Sequence, residues 1–131
     1  MSEATQAGQR KVLIADDEQN IVISIEFLMK REGFQVSIAR DGEEALAKVQ
    51  SEHPDLVLLD VMMPKKNGYE VCQSIKADAA MAGTRVLMLT AKGRDTEIAK
   101  GLAIGADAYM TKPFSTRDLV AKAKELLAVP S

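Results

Sequence analysis

Three runs of four consecutive apolar residues punctuate the chain: Val12-Leu13-Ile14-Ala15, Leu56-Val57-Leu58-Leu59 and Val86-Leu87-Met88-Leu89. Short unbroken runs of this kind predict strands covered on both faces, as in a parallel sheet. Residues 34–39 alternate instead, with Gln35 and Ser37 between apolar neighbours, and Ala108-Tyr109-Met110 is short. Both predict edge strands. Between the strands, apolar positions recur at helical spacing. Ile21, Ile25, Leu28 and Met29 predict a first helix that stops at Gly33. Asp41-Gly42-Glu43-Glu44 has the form of a capping box, opening a second helix through Leu46 and Val49 that His53-Pro54 closes. Val71, Cys72 and Ile75 give the inward face of a third helix, and Ile98 and Leu102 that of a fourth ending near Gly105. Ser115 caps a fifth, which carries Leu119, Val120, Ala123, Leu126 and Leu127.

Strict alternation of strands and helices predicts an α/β fold, a doubly wound five-stranded parallel sheet. With strands two and five at the edges, right-handed crossovers favour the order 2-1-3-4-5. The winding then reverses between strands one and three, and ligands bind such sheets at the carboxyl ends of the strands beside that reversal. Asp16 and Asp17 follow strand one, Asp60 follows strand three, Thr90 ends strand four, and Lys112 comes within two residues of strand five. Each has a plain reading alone: an Asp pair caps a helix, a threonine ends a strand, a lysine before proline sits in a solvated turn. Together they bring three carboxylates, a hydroxyl and an ammonium to one rim. Three carboxylates at close range repel. A divalent cation offsets the repulsion, and an oxygen-only set without His or Cys suits Mg²⁺.

Composition narrows the reading. At 131 residues the chain has room for one domain, with 1–9 expected as a flexible leader, 10–128 as the domain and 129–131 as a short tail. A net charge of −2 argues against a direct nucleic-acid partner. No apolar run is long enough to span a bilayer, so no membrane partner is expected. The single cysteine, Cys72, excludes an internal disulfide and suits a reducing, cytoplasmic setting. Cys72 reads as a small buried hydrophobe, Phe114 as core, the seven methionines as core filler and Lys65-Lys66 as a solvated turn. His53, at a helix end, reads as remote from the acids.

Four motifs carry a family likeness over residues 10–127: VLIADDE (12–18), VLLDVMMPKKNG (57–68), VLMLTAKG (86–93) and DAYMTKPF (107–114). The chain resembles a bacterial response-regulator receiver domain of the single-domain, chemotaxis-regulator type, whose fold is flavodoxin-like. The resemblance implies that Asp60 accepts a phosphoryl group from a phosphohistidine on a sensor kinase or a histidine phosphotransfer protein. It implies that Asp17 and Asp60 ligate Mg²⁺ directly, Asp16 through water and Met62 through its backbone carbonyl. Lys112 then neutralises a phosphoryl oxygen, Thr90 hydrogen-bonds another, and Tyr109 is the aromatic switch that turns inward with the threonine. It implies a cis peptide between Lys112 and Pro113, and positions at Met62 and Lys92 that tune the lifetime of the phosphoryl group. By the same resemblance the chain is a self-phosphorylating and slowly self-dephosphorylating signalling domain rather than a turnover enzyme. With no output domain expected after the fifth helix, its message passes to a partner through the fourth helix, fifth strand and fifth helix, or onward in a phosphorelay.

Three alternatives compete. A haloacid-dehalogenase-type phosphatase needs an Asp two residues beyond its nucleophile, where this chain has Met62. A flavodoxin-like FMN binder wants a Ser/Thr/Gly-rich phosphate loop after strand one, where this chain has two acids. A degenerate receiver that only docks partners is the third, and against it stand all five expected site residues.

Overall fold

The structure is a computed structural model that describes residues 10–128 apart from 64, 82 and 92–94, with the side chains of 91, 95–98 and 101 not described. The expected leader and tail, Lys92 and the Ile98 side chain lie outside the described residues. Five strands alternate with five helices: β1 (Lys11–Ala15), α1 (Gln19–Arg31), β2 (Gln35–Ala39), α2 (Gly42–Glu52), β3 (Leu56–Asp60), α3 (Gly68–Ala77), β4 (Arg85–Ala91), α4 (Asp95–Ile104), β5 (Ala108–Lys112) and α5 (Thr116–Leu127). All pairings are parallel, in the order β2-β1-β3-β4-β5. This is the expected doubly wound, flavodoxin-like arrangement.

The apolar runs are buried because the sheet is covered on both sides. Along β1, Val12 and Ile14 join a core with Val22, Ile25 and Met29 of α1 and Leu119 and Ala123 of α5. Leu13 and Ala15 point the other way, to a core with Ala45 and Val49 of α2 and Val71, Cys72 and Ile75 of α3. Each fully buried leucine or isoleucine contributes about 1.5–3 kcal/mol relative to exposure. A one-residue slip of β1 would exchange its two faces, so the cores hold the register that aligns the strand ends.

Local signals set the element ends. Asp41 caps α2 by accepting from the Glu44 amide at 2.8 Å. The expected capping box is only half made there, because Glu44 turns back to the Arg40 amide rather than to Asp41. A complete box stands instead at α3, between Asn67 and Glu70. The β4 and β5 ladder runs beyond the apolar residues to Thr90↔Thr111 and Ala91↔Lys112. Thr90 is therefore the next-to-last residue of β4 rather than its end, and Lys112 is the last ladder residue of β5 rather than a residue beyond it.

Some expected core residues face water. Leu102 is 44% exposed on α4, beside Tyr109, and Met62 is 59% exposed in the β3–α3 loop. Phe114 is only partly buried, against the α1–α5 core. Cys72 is fully buried and unpaired. Lys65 is exposed as a turn residue with φ 71°, while Lys66 is half-buried. His53 is exposed in the left-handed conformation just after α2.

Candidate functional site

The acidic rim is built by the ends of β1 and β3. β1 pairing continues one residue past the strand through the Asp16 amide, which donates to Ala39 O at 3.1 Å. Likewise the Val61 amide donates to Leu89 O at 3.1 Å, so Asp60 is held in register with β4 to its last atom. The result brings one carboxylate oxygen from each of Asp16, Asp17 and Asp60 within 4.8 Å of the others. Asp16 and Asp60 are buried, whereas Asp17 is exposed at the mouth.

Asp16 is fixed on both oxygens. Its Oδ1 accepts from the Glu18 amide at 2.9 Å, and its Oδ2 from Lys112 Nζ at 3.1 Å. Lys112 reaches across from β5 and touches three acids, standing 3.2 Å from Glu18 and 3.4 Å from Asp60 Oδ1. Glu18, the last residue of the VLIADDE motif, is a further member of the site with no counterpart among the residues expected there. The peptide from Lys112 to Pro113 is cis, as the resemblance implied.

The charges do not cancel. Burial, with the Asp16 charge beside it, pushes the Asp60 carboxyl up to about 6, against the pull of Lys112 and the Met62 amide. Burial alone would lower the Lys112 pKa, but Asp60, Asp16 and Glu18 outweigh it and the net shift is upward. One lysine cation is thus shared among an excess of buried negative charge, which is the condition a divalent cation relieves. A hard, all-oxygen donor set fits Mg²⁺.

Thr90 is buried on β4, one residue beyond Leu89, the ladder partner of Asp60. Among the described residues its Oγ1 has no hydrogen-bond partner. An unsatisfied buried hydroxyl costs about 1–3 kcal/mol, and β4 keeps one at Thr90. Tyr109 is 42% exposed on β5 and lines a groove of about 560 Å³ with Leu102, Met110, Phe114, Asp118 and Lys122. Met62 donates its amide to Asp60 Oδ1 at 3.4 Å, while its side chain points to solvent.

The chain is similar to known proteins in sequence and in fold. The chain is 47% identical over 118 residues to the alkaline phosphatase synthesis transcriptional regulatory protein PhoP of Bacillus subtilis, covering 90% of this chain and 48% of that protein. The chain therefore spans about half the length of that curated relative. Among solved structures it is similar to a CheY-like response regulator receiver domain protein from Methanospirillum hungatei, with 34% identity and a TM-score of 0.85, over 91% of this chain and 94% of that one. It is also similar to the chemotaxis response regulator CheY4 of Vibrio cholerae, with 31% identity and a TM-score of 0.84, over 90% and 98%. The family model of the response regulator receiver domain matches residues 12–124. The chain belongs to that family, the receiver domains of two-component response regulators.

Proposed function

We propose that Asp60 is the phosphoacceptor of this receiver domain, working with Mg²⁺ at the rim it shares with Asp16 and Asp17. The observation that carries the reading is the meeting of three carboxylate oxygens and one lysine at the ends of three strands, with an unpartnered hydroxyl on β4 one residue beyond the ladder partner of Asp60. Asp17 and Asp60 would hold the ion directly, Asp16 through water and Met62 through its carbonyl. When bound, the ion supplies charge neutralisation for the phosphoryl oxygens and the nucleophile.

The chain's own groups do the rest. An Asp60 oxygen forms its bond to phosphorus as the bond to a donor imidazole nitrogen breaks, the electron pair leaving with the nitrogen. The Lys112 ammonium, kept charged by its acidic neighbours, takes up one phosphoryl oxygen, and the Thr90 hydroxyl gives another the partner it lacks. The donor is a phosphohistidine on a kinase or phosphotransfer protein, and Asp60 slowly releases phosphate to water thereafter. The reader is a protein that docks on the Tyr109 groove between α4, β5 and α5. The single cysteine, Cys72, is buried and has no cysteine partner in the chain, which fits a cytoplasmic setting, and residues 10–128 form the receiver unit.

Calorimetric titration tests the metal on which this rests. Parent protein binds Mg²⁺, and Asp17→Asn weakens binding strongly. Unchanged affinity in Asp17→Asn contradicts the ligand assignment.

A further inference from the structure

We infer that Gly42, at the start of α2 and outside the acidic rim, is a positioning residue for the loop of residues 61–67 that follows Asp60; the inference rests on the Mg²⁺ reading above. That loop is pinned at two places where no Cβ fits. At its far end, a Cβ on Gly68 would stand 2.5 Å from the Asp60 carbonyl oxygen and 2.8 Å from Val61 Cα. At its crest, a Cβ on Gly42 would overlap the carbonyl oxygen and Cβ of Lys66 and come within 2.7 Å of the Lys66 carbonyl carbon. The obstacle at Gly42 is largely backbone, so no flexible side-chain tip can swing aside.

A second contact seats the same part of the loop on α2. Lys65, held at φ 71°, places Nζ 3.7 Å from Asp41 Oδ2. The other Asp41 oxygen caps the helix by accepting from Glu44. The start of α2 is therefore a fixed platform, and Gly42 lets the loop backbone lie directly on it. Met62, whose amide touches Asp60 and whose carbonyl is the proposed ligand, lies in the chain between Val61, against which Gly68 packs, and Lys66, against which Gly42 packs. A Cβ at Gly42 must displace Lys66, and with Gly68 held against Asp60 the displacement is passed toward Met62. Mg²⁺ demands near-ideal octahedral geometry, and disturbing groups that orient metal ligands typically lowers affinity 10- to 100-fold.

Mg²⁺ affinity by calorimetry, with the amide NMR spectrum of the metal-free protein, tests this on parent, Gly42→Ala and Gly83→Ala. Gly83 precedes β4 and has nothing within 4 Å of an added Cβ. Gly42→Ala should lose roughly tenfold or more in Mg²⁺ affinity and move the Met62 amide signal, whereas Gly83→Ala matches the parent. Should Gly42→Ala fail to fold, Gly42→Ala/Lys66→Gly removes the overlapping Lys66 Cβ and gives the loop a yielding residue. That double variant should fold and still bind Mg²⁺ more weakly than the parent. A folded single or double variant with parental Mg²⁺ affinity overturns the inference. A parent that binds no Mg²⁺ overturns the metal reading itself, so the two failures are distinct.

Discussion

Lys112 Nζ stands 3.4 Å from Asp60 Oδ1, with β4 lying between the strands that carry them. The same ammonium is 3.1 Å from the fully buried Asp16. Without it, two buried carboxylates lose their cation, and breaking such a pair from one side costs about 3–5 kcal/mol. Lys112→Met should therefore destabilise the metal-free protein strongly at pH 7.5 and less at pH 5, where Asp60 carries a proton. Urea unfolding at the two pH values measures this. Equal destabilisation at both would show that Lys112 does not offset the acids.

Asp60 itself makes the metal-free fold sensitive to pH. Its carboxyl ionises near 3.8 when unfolded and at about 6 when folded. Between those values the folded protein holds more protons than the unfolded chain, so stability falls as pH rises. The shift of roughly two units corresponds to about 3 kcal/mol at 1.36 kcal/mol per unit. The stabilisation is full below pH 4 and lost as pH passes 6. Asp60→Asn should be the more stable protein at pH 7.5 by on the order of 1–3 kcal/mol, and equal to the parent at pH 4. Thermal unfolding in EDTA reads the difference. Saturating Mg²⁺ should narrow the gap by stabilising only the parent.

The unpartnered Thr90 hydroxyl gives a prediction of opposite sign for stability and function. Thr90→Val keeps the shape and removes a buried, unsatisfied group. It should leave the fold unchanged or stabilise it by about 1–2 kcal/mol, while weakening the response to phosphoryl mimics. A clear loss of stability would mean that the hydroxyl is already satisfied in the resting protein.

The strand order and the acidic rim were legible because they depend on burial and on strand ends. Both faces of β1, β3 and β4 are covered, so their residues read as plain apolar runs, and the acids at once mark where burial stops. Lys112 was found as chemistry but expected past β5, which in fact includes it, while Thr90, expected to end β4, is followed by one more ladder residue. Parallel hydrogen bonding continues through polar residues, which hydrophobicity does not report. Leu102 and Met62 were expected inside because apolar residues usually are, yet both lie at surfaces beside the site and its groove. The role of Glu18 depends on a lysine from a distant strand, and the seat at Gly42 on a loop from another. Neither relationship is local in sequence.

Switching should depend on Thr90. A phosphoryl group shifts a conformational equilibrium only through contacts it makes better in one state. Drawing Thr90 toward Asp60 opens space on the β5 side, and burying the Tyr109 ring there is worth up to about 1.5–3 kcal/mol. Thr90→Ala should still take a phosphoryl group at Asp60 but leave Tyr109 exposed. Backbone NMR with and without beryllofluoride compares the two proteins. The same shifts along α4 and β5 in Thr90→Ala and parent would assign the coupling to another element.

The central claim is that Asp60 takes a phosphoryl group with the help of Mg²⁺. The most direct measurement is incubation with a small phosphodonor followed by intact and peptide mass spectrometry. The account predicts one acid-stable, base-labile phosphoryl group on the Asp60 peptide of the parent with Mg²⁺, and none with EDTA or in Asp60→Asn. An Asp60→Asn protein that still carries the group would contradict it.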